Sequence, residues 1–211
     1  MNTPKTFTLL LIGLAFCSQT IHAQDTSKNK QPNNAPIFAA IEQEPAFPGS
    51  VKAFNKFILH NLKYPKVANV LGLTGKVYVS FIIEKDGSVT NVKPTSCTGA
   101  GCESEAARVI SMSPQWNPGT QDGRAVRVFY TVPIEFYFED DWGKTRMRKL
   151  KNSEFGFLFY INNKIFSLNE AEQIIGKSFD PGQIASVEPC SDPQYAVPDK
   201  NETYLVVMKN H

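Results

Sequence analysis

The thiol and imidazole side chains of this 211-residue chain, the usual soft metal ligands and redox or general-base groups, are few: four cysteines and three histidines. Cys97 and Cys102 frame the run CTGAGC. That spacing suits a disulfide closing a tight loop, whereas a redox pair would favour C-x-x-C and a metal site would need further ligands nearby. His60 lies near the end of an amphipathic stretch and His211 is the terminal residue, so neither stands beside a nucleophile. No G-x-S-x-G, H-E-x-x-H or Gly-rich phosphate loop occurs. Asp140-Asp141 are adjacent carboxylates in a charged stretch and read as solvated. The expectation is a protein that is not an enzyme, with no metal and no cofactor.

The start of the chain bears on the remaining cysteines. Met1 to Thr6 hold a single lysine, Phe7 to Phe16 are almost wholly apolar, and Ile21-His22-Ala23 ends in a small residue. This is the pattern of a cleavable signal peptide over residues 1–23. An apolar run of about ten residues is too short to cross a bilayer. Phe16 before Cys17 argues against lipidation there. Removal of Lys5 lowers the formal charge from +2 to about +1, so nothing drives binding to nucleic acid or anionic membranes. In an exported chain the Cys97–Cys102 pair reads as a disulfide, contributing about 2 kcal/mol if unstrained. Cys190 is left as a buried thiol or an intermolecular partner.

The elements follow from periodicity. Residues 24–44 are polar at first and read as a disordered N-terminal segment. Val51 to Leu62 has helical spacing, with Ser50 available as N-cap, and Pro65 can open a second short helix. In Lys76 to Glu84, Val77, Val79, Phe81 and Ile83 share one face, and Asp86-Gly87 signals a hairpin. Val89 and Val92 are three apart in the returning strand, which predicts a β-bulge. Acidic residues at Glu103 and Glu105 open a helix, and Arg124 to Phe138 reads as one long strand. Pro133 puts that strand at a sheet edge or at an irregularity.

These elements predict an α+β fold for residues 45–138: a small antiparallel sheet of about three strands with two helices on one face, in the order α-β-β-α-β. Residues 139–153 read as a linker because of their charges. Residues 154–211 read as a small C-terminal β-α-β-β segment.

Several of these pieces together have a family look. Phe47-Pro48-Gly49, Asn61-Leu62-Lys63-Tyr64-Pro65, Glu105-Ala106-Ala107-Arg108, Trp116-Asn117-Pro118-Gly119 and Pro133-Ile134-Glu135-Phe136 occur in order across residues 45–138. That segment resembles the TonB C-terminal domain family. The resemblance implies a periplasmic protein-binding module whose partners are extended segments of outer-membrane TonB-dependent transporters or other envelope proteins. It implies that such segments add to the last strand through main-chain hydrogen bonds. Carried onto this chain, the partner-binding residues are Val126, Arg127, Val128, Phe129, Tyr130 and Thr131, and Trp116 is the buried aromatic. The expected protein is an adaptor with no retained membrane anchor.

The residues themselves leave alternatives open. The same strand could be an ordinary edge defended by Arg124, Arg127 and Pro133. It could also serve a self-associating structural envelope protein, as a homodimer formed by strand exchange.

Overall fold

The computed structural model describes residues 41–96, 98–137 and 144–209. Helix α1 (Val51–Asn61) turns Phe54, Phe57 and Ile58 inward, and Ser50 occupies its N-cap position without a side-chain cap bond. Helix α2 (Lys66–Leu71) starts directly after Pro65 and ends at Gly72, whose φ of 65° is the left-handed stop that glycine adopts at low cost.

Strands β1 (Gly75–Ile83) and β2 (Val89–Pro94) form the expected hairpin, with the Asp86 carboxylate accepting the Ser88 N–H at 2.9 Å. The bulge falls in β2: Ser80 pairs with Lys93 but Ile82 pairs with Thr90, and Asn91 takes φ 54°. The extra residue is what moves Val89 and Val92 out of strict alternation. Helix α3 (Cys102–Ser111) buries Ala106, Val109 and Ile110.

Next come the short strands β3 (Gly119–Gln121) and β4 (Arg124–Val126), then the long strand β5 (Val128–Phe136). The first sheet has the order β2-β1-β5 with both pairings antiparallel, and β3 with β4 forms a separate ribbon. Val77, Val79, Phe81 and Ile83 of β1 and Val132, Ile134 and Phe136 of β5 fill the buried face. The protein is α+β.

The predicted linker does not hold from residue 144 onward. Strand β6 (Thr145–Arg146) and helix α4 (Met147–Lys151) lie there, and Met147 and Leu150 are fully buried. Their apolar side chains, three apart on one helical face, outweigh the charges around them. The disordered reading of 24–44 also fails at its end, because the Glu42 N–H donates to the Thr120 carbonyl at 2.9 Å; residues 24–40 lie outside the described residues.

The tail continues with β7 (Gly156–Ile161), β8 (Lys164–Ser167), α5 (Leu168–Ile175), β9 (Ser178–Phe179), β10 (Ile184–Pro189) and β11 (Thr203–Met208). Its sheet has the order β10-β11-β7-β8, and β11 runs parallel to β7. Strand β8, absent from the predicted β-α-β-β order, is made by a tight turn with Asn162 and Asn163 at φ 48° and 63°. Ser167 and Glu170 close a capping box on α5.

The tail packs on the preceding segment. Thr145 Oγ1 donates to the Leu71 carbonyl, Lys149 Nζ donates to the Asn69 carbonyl at 2.8 Å, and the Ala100 N–H reaches the Val187 carbonyl at 3.4 Å. A single cluster of buried hydrophobic residues runs from Phe47 to Met208.

Candidate docking edge

The predicted partner-binding residues do not share one strand. Val126 belongs to β4, where it pairs with Gly119, and Val128 begins β5, where it pairs with Ile83. Arg127 lies between, at the point where the chain changes partners, so the expected long strand from Arg124 is interrupted there. Its far end, Phe138, lies outside the described residues.

The Arg127 guanidinium is committed to Glu84. Its Nε donates to Glu84 Oε2 at 2.7 Å and an Nη donates to Oε1 at 2.9 Å, with both side chains largely shielded from solvent. This bidentate geometry is the strong form of the interaction. The Arg127 hydrogen bond holds the Glu84 carboxyl below its ordinary value, and the Thr90 hydroxyl helps.

The peptide groups of β5 have a readable direction. The Tyr78 N–H donates to Ser96 Oγ at 2.8 Å, the Tyr78 carbonyl accepts the Thr95 N–H at 2.8 Å, and the Glu84 N–H donates to the Ser88 carbonyl at 2.9 Å. Even-numbered residues of β1 therefore turn their peptide groups toward β2. The register of β1 on β5 is unbroken, with Ile82 opposite Phe129, Ser80 opposite Thr131 and Tyr78 opposite Pro133. These are non-hydrogen-bonded pairs, so the peptide groups of Phe129, Thr131, Pro133 and Glu135 point away from β1. Among the described residues no strand pairs with β5 on that side.

Side chains on the outer face of this sheet form a graded ladder. Lys76 Nζ meets Glu135 Oε1 at 2.7 Å at one end, and Glu84 with Arg127 closes the other. Between them the Ser80 and Thr131 hydroxyls lie 2.8 Å apart, and Phe129 stands 55% exposed opposite Ile82.

On the inner face Tyr130 is half-buried at the rim of an aromatic cluster. Its ring packs edge-on against Trp116 at 5.7 Å and Phe81 at 6.0 Å, and Trp116 in turn meets Phe47 at 5.5 Å and Phe54 at 5.6 Å. Trp116 is buried, and its Nε1–H donates to Ser113 Oγ at 3.1 Å. The Trp116 N–H also donates to the Gly87 carbonyl at 2.8 Å. A Cβ on Gly87 would lie 2.0 Å from the Trp116 carbonyl oxygen, so the hairpin turn can seat there only as glycine.

Two further motifs are bolted together by groups that sequence reasoning did not single out as functional. Glu105 Oε1 accepts the Lys63 N–H at 2.6 Å and the Arg108 guanidinium at 2.7 Å, while Arg108 also reaches the Asn61 carbonyl at 2.7 Å. The Tyr64 hydroxyl donates to the Leu73 carbonyl and its ring packs edge-on against Phe136 at 5.6 Å. Burial pushes the Tyr64 phenol up to about 12, which keeps it a donor.

The expected Cys97–Cys102 disulfide cannot be placed, since Cys97 lies outside the described residues. Cys102 stands as a buried thiol whose pKa burial pushes up to about 12, and Cys190 is a half-buried thiol. His60 is exposed on the last turn of α1, while Asp140, Asp141 and His211 lie outside the described residues. Among the described residues, no three His, Cys, Asp or Glu side chains gather into a metal site, and no helix is long and apolar enough to cross a membrane.

Residues 60–138 match the family model of the Gram-negative bacterial TonB protein C-terminal. Over these residues the chain is similar to the TonB C-terminal family. Solved TonB C-terminal domains are among its matches. The NMR solution structure of Helicobacter pylori TonB residues 194–285 is 27% identical, covering 43% of this chain and 96% of that one, with a TM-score of 0.34. A second, of residues 179–285, is 28% identical over 44% of this chain and 89% of that one, with a TM-score of 0.33. No curated protein matches the chain. The TonB C-terminal family is associated with TonB-dependent transport in the Gram-negative envelope.

Proposed function

We propose that this protein is a periplasmic binding module of the TonB C-terminal type, which takes up extended segments of outer-membrane transporters as an additional strand beside β5. The observation that carries this reading is the row of outward peptide groups on β5, with β1 on the other side and no described strand against them. An unpaired strand edge is a template for another chain, held by main-chain hydrogen bonds and sorted by side-chain contacts. The opposite edge of the sheet is the poorer template, because β2 is bulged at Asn91 and ends in Pro94. The docking residues are Phe129, Tyr130 and Thr131, with Val126, Arg127 and Val128 fixing the entry to the strand.

The test is an NMR titration of the exported protein with synthetic peptides from the periplasm-facing ends of the host's outer-membrane transporters. Amide shifts confined to β5 and β1 support the reading. An unchanged spectrum at millimolar peptide contradicts it, and peptide-independent, concentration-dependent line broadening at β5 would favour a homodimer instead.

A further inference from the structure

The charge of this chain is nearly balanced as a whole, but not along its length. No acidic residue occurs between Glu44 and Glu84, while Lys52, Lys56, Lys63, Lys66 and Lys76 all fall inside that interval. Lys66 and Lys76 find carboxylates elsewhere in the fold, at Glu154 and Glu135. Lys52 and Lys56 have no carboxylate within ion-pair distance among the described residues. Lys63 stands exposed just past α1, and Glu105, which accepts its N–H, is already bonded to the Arg108 guanidinium. We propose that the outer face of α1 is a peripheral contact site for an anionic lipid surface. Lysine–phosphate attraction holds it there, together with two aliphatic side chains set among the lysines. The site is independent of the β5 edge.

Helical spacing sets this face. Phe54, Phe57 and Ile58 pack inward, with Phe54 edge-on against Trp116 at 5.6 Å, and the opposite half of the helix is left outside. There Val51, Asn55 and Leu59 form one row at one-turn intervals, and Lys52, Lys56 and His60 form the row beside it. Val51 is 75% exposed and Leu59 80%, more than any other large hydrophobic side chain among the described residues. A single exposed aliphatic is ordinary on a protein surface. Two in one row, flanked by lysines without counter-charges, are the pattern of a helix that lies in a headgroup layer. Lysine suits that place, because its stem lies along apolar surface while the ammonium reaches a phosphate. Lys52 and Lys56 repel each other across one turn, and an anionic surface relieves that repulsion.

The shape of the face favours lipid over a protein partner. The described cavities border α2, α4 and the tail rather than α1. Protein partners anchor a few large side chains in pockets, whereas a lipid layer is fluid and conforms to a convex row. With only 11 residues, α1 can lie on such a layer but cannot cross it.

Vesicle co-sedimentation of the protein tests the site, with phosphatidylcholine vesicles set against vesicles rich in phosphatidylglycerol. The apolar stretch at residues 7–16 carries no charge, so it contributes alike to both and cancels in the ratio. At about fivefold per lysine, Lys52, Lys56 and Lys63 together should favour phosphatidylglycerol roughly a hundredfold, and the preference should fall as salt is raised. Lys52→Glu should lower it roughly twentyfold, by removing one cation and reversing its sign. That variant puts an acid in the first turn and opposite Lys56, both favourable to the helix, so its loss of binding is not a loss of fold. Leu59→Ser should weaken binding to both vesicle types by roughly tenfold. Equal partition into the two vesicle types, or a phosphatidylglycerol preference that survives Lys52→Glu and Lys56→Glu together, would overturn the proposal. So would binding of a soluble glutamate-rich peptide at Lys52 and Lys56 without vesicle binding, which would make the face a site for an acidic protein segment.

Discussion

Arg127 sits where the chain leaves β3 and joins β1, and its guanidinium is held in a two-bond pair by Glu84 from the far end of β1. Because both side chains are mostly shielded, the pair counts for more than an exposed ion pair of the same length. Glu84→Gln should cost about 1–2 kcal/mol near neutral pH, as expected for charge-assisted bonds lost at one partner. The pH dependence has a definite sign. The folded state holds the Glu84 carboxyl below its ordinary value, so the pair stabilises above the unfolded carboxylate value of about 4.3 and the contribution is lost as pH falls through the lower folded value. Urea unfolding of the unaltered protein and Glu84→Gln should therefore show a stability gap that closes in acid. A gap independent of pH would mean that the pair is not what Glu84 contributes.

At the scale of elements, α4 shows where composition misleads and packing decides. Lys144 to Lys151 is the most basic run in the chain, and its charges read as a linker. Yet Met147 and Leu150 are completely buried on one side of a single five-residue helix, too short for periodicity to announce itself. Leu150→Ala should destabilise the protein by about 2–5 kcal/mol in thermal or urea unfolding, as removal of a buried leucine does. A change within about 0.5 kcal/mol would be the behaviour of an exposed linker and would contradict the buried helix. The hairpin, the bulge near Val89 and Val92, and the edge position of β5 were legible because each is written in local alternation or in a proline. The break at Arg127 was not, since side-chain alternation continues through it while the pairing partner changes. The direction of the open edge was not legible either. It depends on which way Tyr78 turns its peptide group, and that is fixed by Thr95 and Ser96 some seventeen residues later in the chain. Glu84 and Glu105 look like ordinary surface acids until tertiary contact sets them opposite Arg127 and the Lys63 N–H.

At the scale of the whole molecule, the segment similar to the TonB C-terminal family and the tail share one hydrophobic cluster, joined through α2 and the loop before α3. The tail sheet is built from its own four strands, and none of them pairs with β5. The core is shared on one side of that segment, while on the β5 edge no described strand pairs. The hairpin that dominates the sequence is the support: β1 holds β5 in register, and its turn is seated on Trp116 through Gly87. The central claim is that a partner strand lies against β5, and the most direct measurement is a crystal structure of the protein bound to a transporter peptide. The account predicts a fourth strand beside β5, bonded to its outward peptide groups at Phe129 and Thr131. A peptide seated anywhere else, or a β5 edge paired only with a second copy of the protein, would contradict it.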